Sequence, residues 1–146
     1  MEKIKVAVIG AGGKMGTRTS NNLVTKFPDK FDVKLVETFP PAVERIEKER
    51  GLKVTPVDEA LAFADVVIFA VPDTLIKKLS AEYVPMLKPG TVFLILDPAA
   101  AVAKELTLRD DCTFGVAHPC HPSYFKWQKE EEAYQDHFGG EGGHQD

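Results

Sequence analysis

The sequence predicts an α/β fold, a doubly wound parallel sheet with helices on both faces. Three observations predict it. An apolar run over Ile4–Ile9 leads directly into a glycine-rich turn, Gly10-Ala11-Gly12-Gly13-Lys14-Met15-Gly16. Further apolar runs alternate with amphipathic segments down the chain, the pattern of successive βαβ units. A lone acidic residue, Glu37, closes the second apolar run 21 residues past Gly16.

Ile4–Ile9 is the first strand, apolar enough to be buried on both faces. Lys14–Phe27 is the first helix, stopped by Pro28, with Met15, Thr19, Leu23 and Phe27 on one face at four-residue spacing. Val33–Val36 is the second strand. Pro40-Pro41 open a helix that runs through Arg50, with Val43 and Ile46 facing inward and Gly51 capping it. A short strand at Lys53–Thr55 leads into Thr55-Pro56-Val57-Asp58, which resembles a capping box for a helix ending at Phe63. Val66–Val71 is the most apolar run and is expected at the centre of the sheet. Asp73 opens a helix carrying Leu75, Ile76, Leu79 and Tyr83 on one face. Lys88-Pro89-Gly90 turns into the strand Thr91–Leu96, Ala99–Leu106 reads as helical, and Thr113–Ala117 is the last strand. Beyond His118 the pattern dissolves. Lys126–Tyr134 is polar, and residues 139–146 contain four glycines. Residues 1–124 are therefore expected to form a dinucleotide-binding domain and 125–146 a linker toward a further domain.

Composition narrows the classes. A chain of 146 residues with 44% hydrophobic and 27% charged residues is sized for one domain with its own core. A net charge of −4 argues against non-specific nucleic-acid binding. No apolar run approaches the ~18 residues of a membrane span, and the N-terminus does not read as a signal peptide. Two cysteines, Cys112 and Cys120, make no disulfide framework, so a cytoplasmic location is expected.

In an open parallel sheet, ligands bind outside the carboxyl ends of the strands, where the residues with chemical potential lie here. The glycine turn fits G-x-x-G-x-x-G through Gly10, Gly13 and Gly16, because Met15 breaks strict G-x-G-x-x-G. Gly10 permits the tight turn, Gly12 or Gly13 lets the backbone approach a pyrophosphate, and Gly16 lets the helix pack closely. Free N–H groups of the turn and the positive end of the helix dipole then face the phosphates, with Lys14 and Met15 counted among the cofactor-binding residues. The plain alternative is a structural turn at a strand end. Glu37 is placed to accept from the adenosine ribose and to repel a 2′-phosphate, which favours NAD over NADP; the first arginine after it is Arg45. Its plain alternative is a solvated strand-end carboxylate. Val71-Pro72-Asp73 is expected beside the nicotinamide half, with Asp73 also a helix cap. Asp97-Pro98-Ala99-Ala100 offers small residues at the next strand end, with Asp97 a turn residue rather than a catalyst.

His118-Pro119-Cys120-His121-Pro122-Ser123 is the second sharp feature. A histidine near nicotinamide can take a hydroxyl proton during oxidation. Alternatively, His118 and His121 can share a divalent metal, or serve structurally. Cys120 reads as a packed thiol, since no Lys or Arg adjoins it. Tyr134-Gln135-Asp136-His137-Phe138-Gly139-Gly140 reads as either a second contribution to the site or the start of the linker.

Together, Gly10-x-x-Gly13-x-Met15-Gly16, Ala70-Val71-Pro72 and His118-Pro119 resemble the superfamily of 6-phosphogluconate dehydrogenase, prephenate dehydrogenase and ketol-acid reductoisomerase. The His118–Ser123 stretch, with Asp136-His137-Phe138-Gly139-Gly140, resembles more narrowly the phosphogluconate-dehydrogenase-like proteins that include D-apionate oxidoisomerases. That resemblance implies NAD-linked oxidation of a hydroxy or sugar acid coupled to a carbon-skeleton shift. It also implies a helical second domain, absent from this chain, that completes the site and carries a homodimer contact. Two other classes compete: a non-catalytic NAD-sensing domain, and a methyltransferase with a similar glycine turn. The two histidines favour the oxidoreductase over the sensor.

Overall fold

The structure, a computed structural model, describes residues 2–118. Five strands, β1 (Ile4–Ile9), β2 (Phe31–Val36), β3 (Val66–Phe69), β4 (Val92–Ile95) and β5 (Thr113–Val116), form one parallel sheet in the order β2-β1-β3-β4-β5. Five helices lie between them: α1 (Lys14–Asn21), α2 (Pro40–Lys48), α3 (Val57–Phe63), α4 (Asp73–Tyr83) and α5 (Ala99–Val102). The chain winds outward from β1 to β2, then crosses back to lay β3 on the other side of β1. The topological switch therefore falls between β1 and β3, where the carboxyl ends diverge and leave a crevice.

Side-chain alternation divides the core in two. Ala7 and Ile9 of β1 join Val67, Phe69, Phe93, Ile95, Leu61, Ile76 and Tyr83 on the face covered by α3 and α4. Val6 and Val8 join Leu35, Ile46 and Ala11 on the other face. Phe69 sits centrally, with ring centroids 4.9 Å from Phe93 and 6.3 Å from Tyr83. The expected α/β sheet is thus present, with β3 between β1 and β4.

Several local expectations are corrected. The first helix does not run unbroken to Phe27. It ends at Asn21 and continues as a π-helical turn over Asn22–Lys26, where the Thr25 hydroxyl donates back to the Asn21 carbonyl at 2.6 Å. Its buried residues are Gly16 and Ser20. Met15, Thr19, Leu23 and Phe27 instead line a shallow outer cavity with Phe31, and Phe27 remains 44% exposed. The second strand begins at Phe31, because Ile4 of β1 already pairs there. The third short strand shrinks to one bridge, Leu35 to Val54, since Pro56 has no amide to extend a ladder. Neither expected side-chain cap forms. Pro56 and Pro72 occupy the N-cap positions of α3 and α4, and Asp58 and Asp73 fall in the first turns, where they complement the helix dipole. The helix after β4 is a single turn, ended near Lys104 with φ 58°.

Candidate functional site: a crevice at the ends of β1, β2 and β3

The site begins where β1 gives out. Gly10 adopts φ +78°, and a Cβ there would lie 2.5 Å from the Ala70 carbonyl oxygen, so the position requires glycine. The Gly10 and Ala11 amides donate to the Val36 carbonyl at 3.0 and 3.1 Å, and the Ala70 amide donates to the Ile9 carbonyl at 2.9 Å. These bonds pin the ends of β1, β2 and β3 together. Gly16 closes the turn from the helix side, because a Cβ on it would fall 2.0 Å from the Gly10 carbonyl oxygen. Helix and turn can meet only without a side chain there.

Gly12 is squeezed differently. A Cβ would lie 2.5 Å from the Ala42 Cβ of α2 and 2.9 Å from Glu37 Oε2. Gly13 is the exception: at φ −72° and ψ 169° its backbone suits any residue, and a Cβ would meet the Gly10 oxygen at 3.4 Å, an ordinary contact. The expectation that the turn presents free amides is corrected for its first four residues. Gly10 and Ala11 donate to Val36, Gly12 to Glu37, and Gly13 to the Gly10 carbonyl at 3.1 Å. The donors left for an anion are those at the head of α1, around Met15 and Gly16, where a helix supplies no acceptor of its own.

Glu37 stands at the end of β2 and is half-buried. Its Oε2 accepts from the Gly12 amide at 3.0 Å, and its Oε1 accepts from the Thr38 and Phe39 amides at 2.8 and 3.0 Å. Three of a carboxylate's roughly four acceptor sites are thereby filled. The strand-end carboxylate is therefore a built part of the glycine turn rather than a solvated side chain.

A cavity of about 270 Å³ opens below the turn, lined by Gly10, Gly13, Glu37, Phe39, Val71 and Pro72 among others, with Tyr83 at its side. Burial, and secondarily Glu82, raises the Tyr83 phenol above its ordinary range. Gly10, Gly13, Glu37, Val71 and Pro72 of the sequence-derived set thus converge on one space. Lys14 and Met15 lie beside it at the head of α1, while Met15 also lines the outer cavity. Asp73 Oδ1 accepts from the Thr74 amide at 2.7 Å, and Asp97 Oδ1 accepts from the Ala99 amide at 2.8 Å, so both serve their own turns.

His118 follows β5, two strands from the β3 end, and does not line the cavity. Its Nδ1 lies 2.9 Å from the Leu96 carbonyl oxygen at the end of β4. A carbonyl can only accept, so Nδ1 is the donor in this bond. Four strand spacings of ~4.8 Å separate the ends of β2 and β5, so Glu37 and His118 flank about 19 Å of sheet edge. His121, Cys120 and the Tyr134–Gly140 stretch lie outside the described residues. Among the described residues no group of three or more His, Cys, Asp or Glu side chains is arranged to hold a metal.

Sequence reasoning passed over Arg50, and treated Arg45 only as too distant from Glu37. Arg50 Nη2 donates to Ser20 Oγ and Asn21 Oδ1, both at 2.7 Å, and Nη1 reaches the Ala11 carbonyl at 3.4 Å. Partial burial lowers its pKa from the ordinary value. Arg45 Nη2 donates to the Gly12 carbonyl at 3.2 Å. Both arginines follow the helix-opening prolines of α2, but only the packing of α2 against the turn reveals where they reach.

Residues 1–121 match the family described as acetohydroxy acid isomeroreductase, NADPH-binding domain. The chain belongs to this family. The cavity beside Gly10, Gly13 and Glu37, with the head of α1 opening at its edge, fits a nicotinamide dinucleotide. Among curated proteins, the chain is 70% identical to the D-apionate oxidoisomerase of Blautia hydrogenotrophica over 146 residues, all of this chain and 50% of that one. It is 47% identical to the D-apionate oxidoisomerase of Rhizobium rhizogenes over 135 residues, 92% of this chain and 48% of that one. The chain thus spans about half the length of the curated relatives it matches. The crystal structure of a semialdehyde dehydrogenase NAD-binding protein from Cupriavidus necator, in complex with calcium and NAD, superposes with TM-score 0.84 at 44% identity. That match covers 99% of this chain and 51% of the other. The resemblance read from the glycine turn and the His118 stretch is borne out.

Proposed function

We propose that this family member is the NAD-binding part of an oxidoisomerase that oxidises a sugar acid, D-apionate or a close analogue, and shifts its carbon skeleton. The observation that carries this reading is Glu37, a carboxylate held by three amides at the end of β2. A ribose hydroxyl can donate to its remaining acceptor site, whereas a 2′-phosphate meets its charge. The names of the curated relatives support the substrate class. Gly10, Gly12 and Gly16 keep the backbone low under the pyrophosphate, the head of α1 from Lys14 to Gly16 supplies donors, and Val71, Pro72 and Asp73 line the nicotinamide side. The chemistry the bound dinucleotide supplies is hydride acceptance at the nicotinamide ring.

His118 is the proton acceptor in this reading. Its Nδ1 proton is held by the Leu96 carbonyl, so its Nε2 is ready to take the substrate's hydroxyl proton. His121 either contacts substrate beside it or joins it on a divalent metal. Residues 125–146 lead to a helical domain that closes the site and forms the homodimer. The reaction belongs in the cytoplasm, on a small-molecule substrate and without nucleic acid.

The test has two stages. Titrating the chain with NADH, NADPH and S-adenosylmethionine should show saturable binding of NADH and none of S-adenosylmethionine. In a protein extended through the second half that the relatives possess, His118→Ala should leave NADH affinity intact and cut D-apionate turnover by ~10²–10⁴. Near-normal turnover would remove His118 from the chemistry. Metal analysis of native and variant protein separates a base from a metal ligand.

A further inference from the structure

We propose that Arg50 is a positioning residue for the dinucleotide, a cation behind the glycine turn whose counter-charge is the bound pyrophosphate. The inference rests on the nucleotide reading above and adds to it a residue that does not line the cavity. Its ground is a half-buried charge with no partner of opposite sign. Arg50 Nη2 donates to Ser20 Oγ and Asn21 Oδ1, both at 2.7 Å, and Nη1 donates to the Ala11 carbonyl at 3.4 Å. All three acceptors are neutral. The Nε atom is buried and has no hydrogen-bond partner, and among the described residues no carboxylate pairs with this guanidinium. A cation taken from water into neutral surroundings is costly until an anion compensates it. Burial accordingly pulls Arg50 below its ordinary value.

The neighbours of the guanidinium place that charge. Ala11 and Ser20 are both fully buried. The Ala11 carbonyl also accepts from Thr17 Oγ1 at 3.2 Å, and the Thr17 amide donates to the Gly13 carbonyl at 2.8 Å. Ser20 Oγ, which accepts from Arg50, donates to the Thr17 carbonyl at 3.1 Å. Arg50 is thus tied into the network that joins the glycine turn to α1. Ser20 lies about 9 Å along α1 from Lys14, so the charge stands within reach of the helix head. Across protein at that range, one unit charge changes the affinity of an anion by about three- to tenfold. The other charges on the turn oppose each other: Glu37 accepts from the Gly12 amide and Arg45 donates to the Gly12 carbonyl. Nothing opposes Arg50. An aspartate at position 21 would neutralise it with the same reach, but the chain has Asn21 there, which holds the guanidinium and leaves its charge for a ligand.

The experiment is a fluorescence titration of the full chain with NADH, run beside thermal melts, on native protein, Arg50→Met, Arg50→Lys and Asn21→Asp. Arg50→Met should weaken NADH binding by about three- to tenfold. Arg50→Lys keeps the charge and loses the fork, so it should melt below the native chain and still bind NADH like it. Asn21→Asp keeps the fork and gives Arg50 a carboxylate, so it should weaken NADH by a similar factor without lowering the melting temperature. Adenosine, which has no phosphate, should compete with NADH equally well in all four proteins. A merely structural Arg50 predicts the reverse, with affinity following the melting temperature. If Arg50→Met fails to fold, native affinity in Arg50→Lys together with a loss in Asn21→Asp supports the inference equally. Loss of NADH affinity in Arg50→Lys, native affinity in Arg50→Met or Asn21→Asp, or an equal loss of adenosine binding overturns the inference while leaving nucleotide binding intact. A native chain that does not bind NADH overturns the nucleotide reading, and this inference with it.

Discussion

Two glycines one turn apart, Gly13 and Gly16, should respond to the same substitution in opposite ways. Alanine at Gly13 places its methyl 3.4 Å from the Gly10 oxygen and 3.9 Å from the Ala70 oxygen, with a backbone already at φ −72°. Reduced freedom of the unfolded chain favours the variant by about 0.4–1 kcal/mol. Gly13 is also the N-cap of α1, where alanine is a poorer residue by a similar amount. The two terms nearly cancel, so the melting temperature should move by no more than about 3 °C in either direction. The methyl, however, stands in the cavity lining, where the pyrophosphate has to pass. Losing one charge-assisted bond of about 1.5–3 kcal/mol should weaken NADH binding at least ~10-fold. Alanine at Gly16 instead drives a methyl to 2.0 Å from the Gly10 oxygen and 2.9 Å from the Ala11 Cα, all backbone atoms that cannot rotate away. Overpacking of that kind costs about 3 kcal/mol or more, a fall in melting temperature on the order of 10 °C. Scanning calorimetry and NADH titration on both variants separate the two roles. A Gly13→Ala protein that binds NADH like the native chain would place Gly13 away from the phosphates. A Gly16→Ala protein that melts with the native chain would show that helix and turn can part without cost.

Two further outcomes follow from the same geometry. Arg50→Met should destabilise the chain by about 1–3 kcal/mol in urea unfolding, because it removes the fork that joins the turn after α2 to Ser20, Asn21 and Ala11; Arg50→Lys should not restore it, since an ammonium cannot span those acceptors. Asp65 accepts from Lys88 Nζ at 2.6 Å, and this bond is the main reason its carboxyl lies below the ordinary range. A carboxyl depressed on folding contributes stability above its unfolded pKa, and that contribution disappears as pH falls through the folded value. Urea midpoints of Asp65→Asn should therefore vary less with pH below about 4 than those of the native chain; equal pH dependence would show the Lys88 contact to be immaterial.

Periodicity and punctuation made much of this molecule legible before any coordinates. The run Ile4–Ile9 could only be a buried strand, and a strand flowing into Gly10–Gly16 implies a turn too tight for side chains. The alternation of apolar runs with helical segments implied the parallel sheet, and Glu37 stood out because it ends the second apolar run 21 residues past Gly16. What sequence could not weigh was competition between neighbours. Thr55 and Asp73 have the right side chains for caps, but prolines at 56 and 72 hold the N-cap positions. Met15, Leu23 and Phe27 have helical spacing, but a π turn and the small residues Gly16 and Ser20 give the buried face to others. What holds the Gly10, Ala11 and Gly12 amides, the bond of His118 Nδ1 to the Leu96 carbonyl, and the arrival of Arg45 and Arg50 at Gly12 and Ala11 are all set by contacts across 22 to 39 residues of chain. Local sequence dictates where a chain turns and what it buries. The partners of a polar atom depend on which distant elements the sheet brings alongside it, and only the tertiary structure decides that.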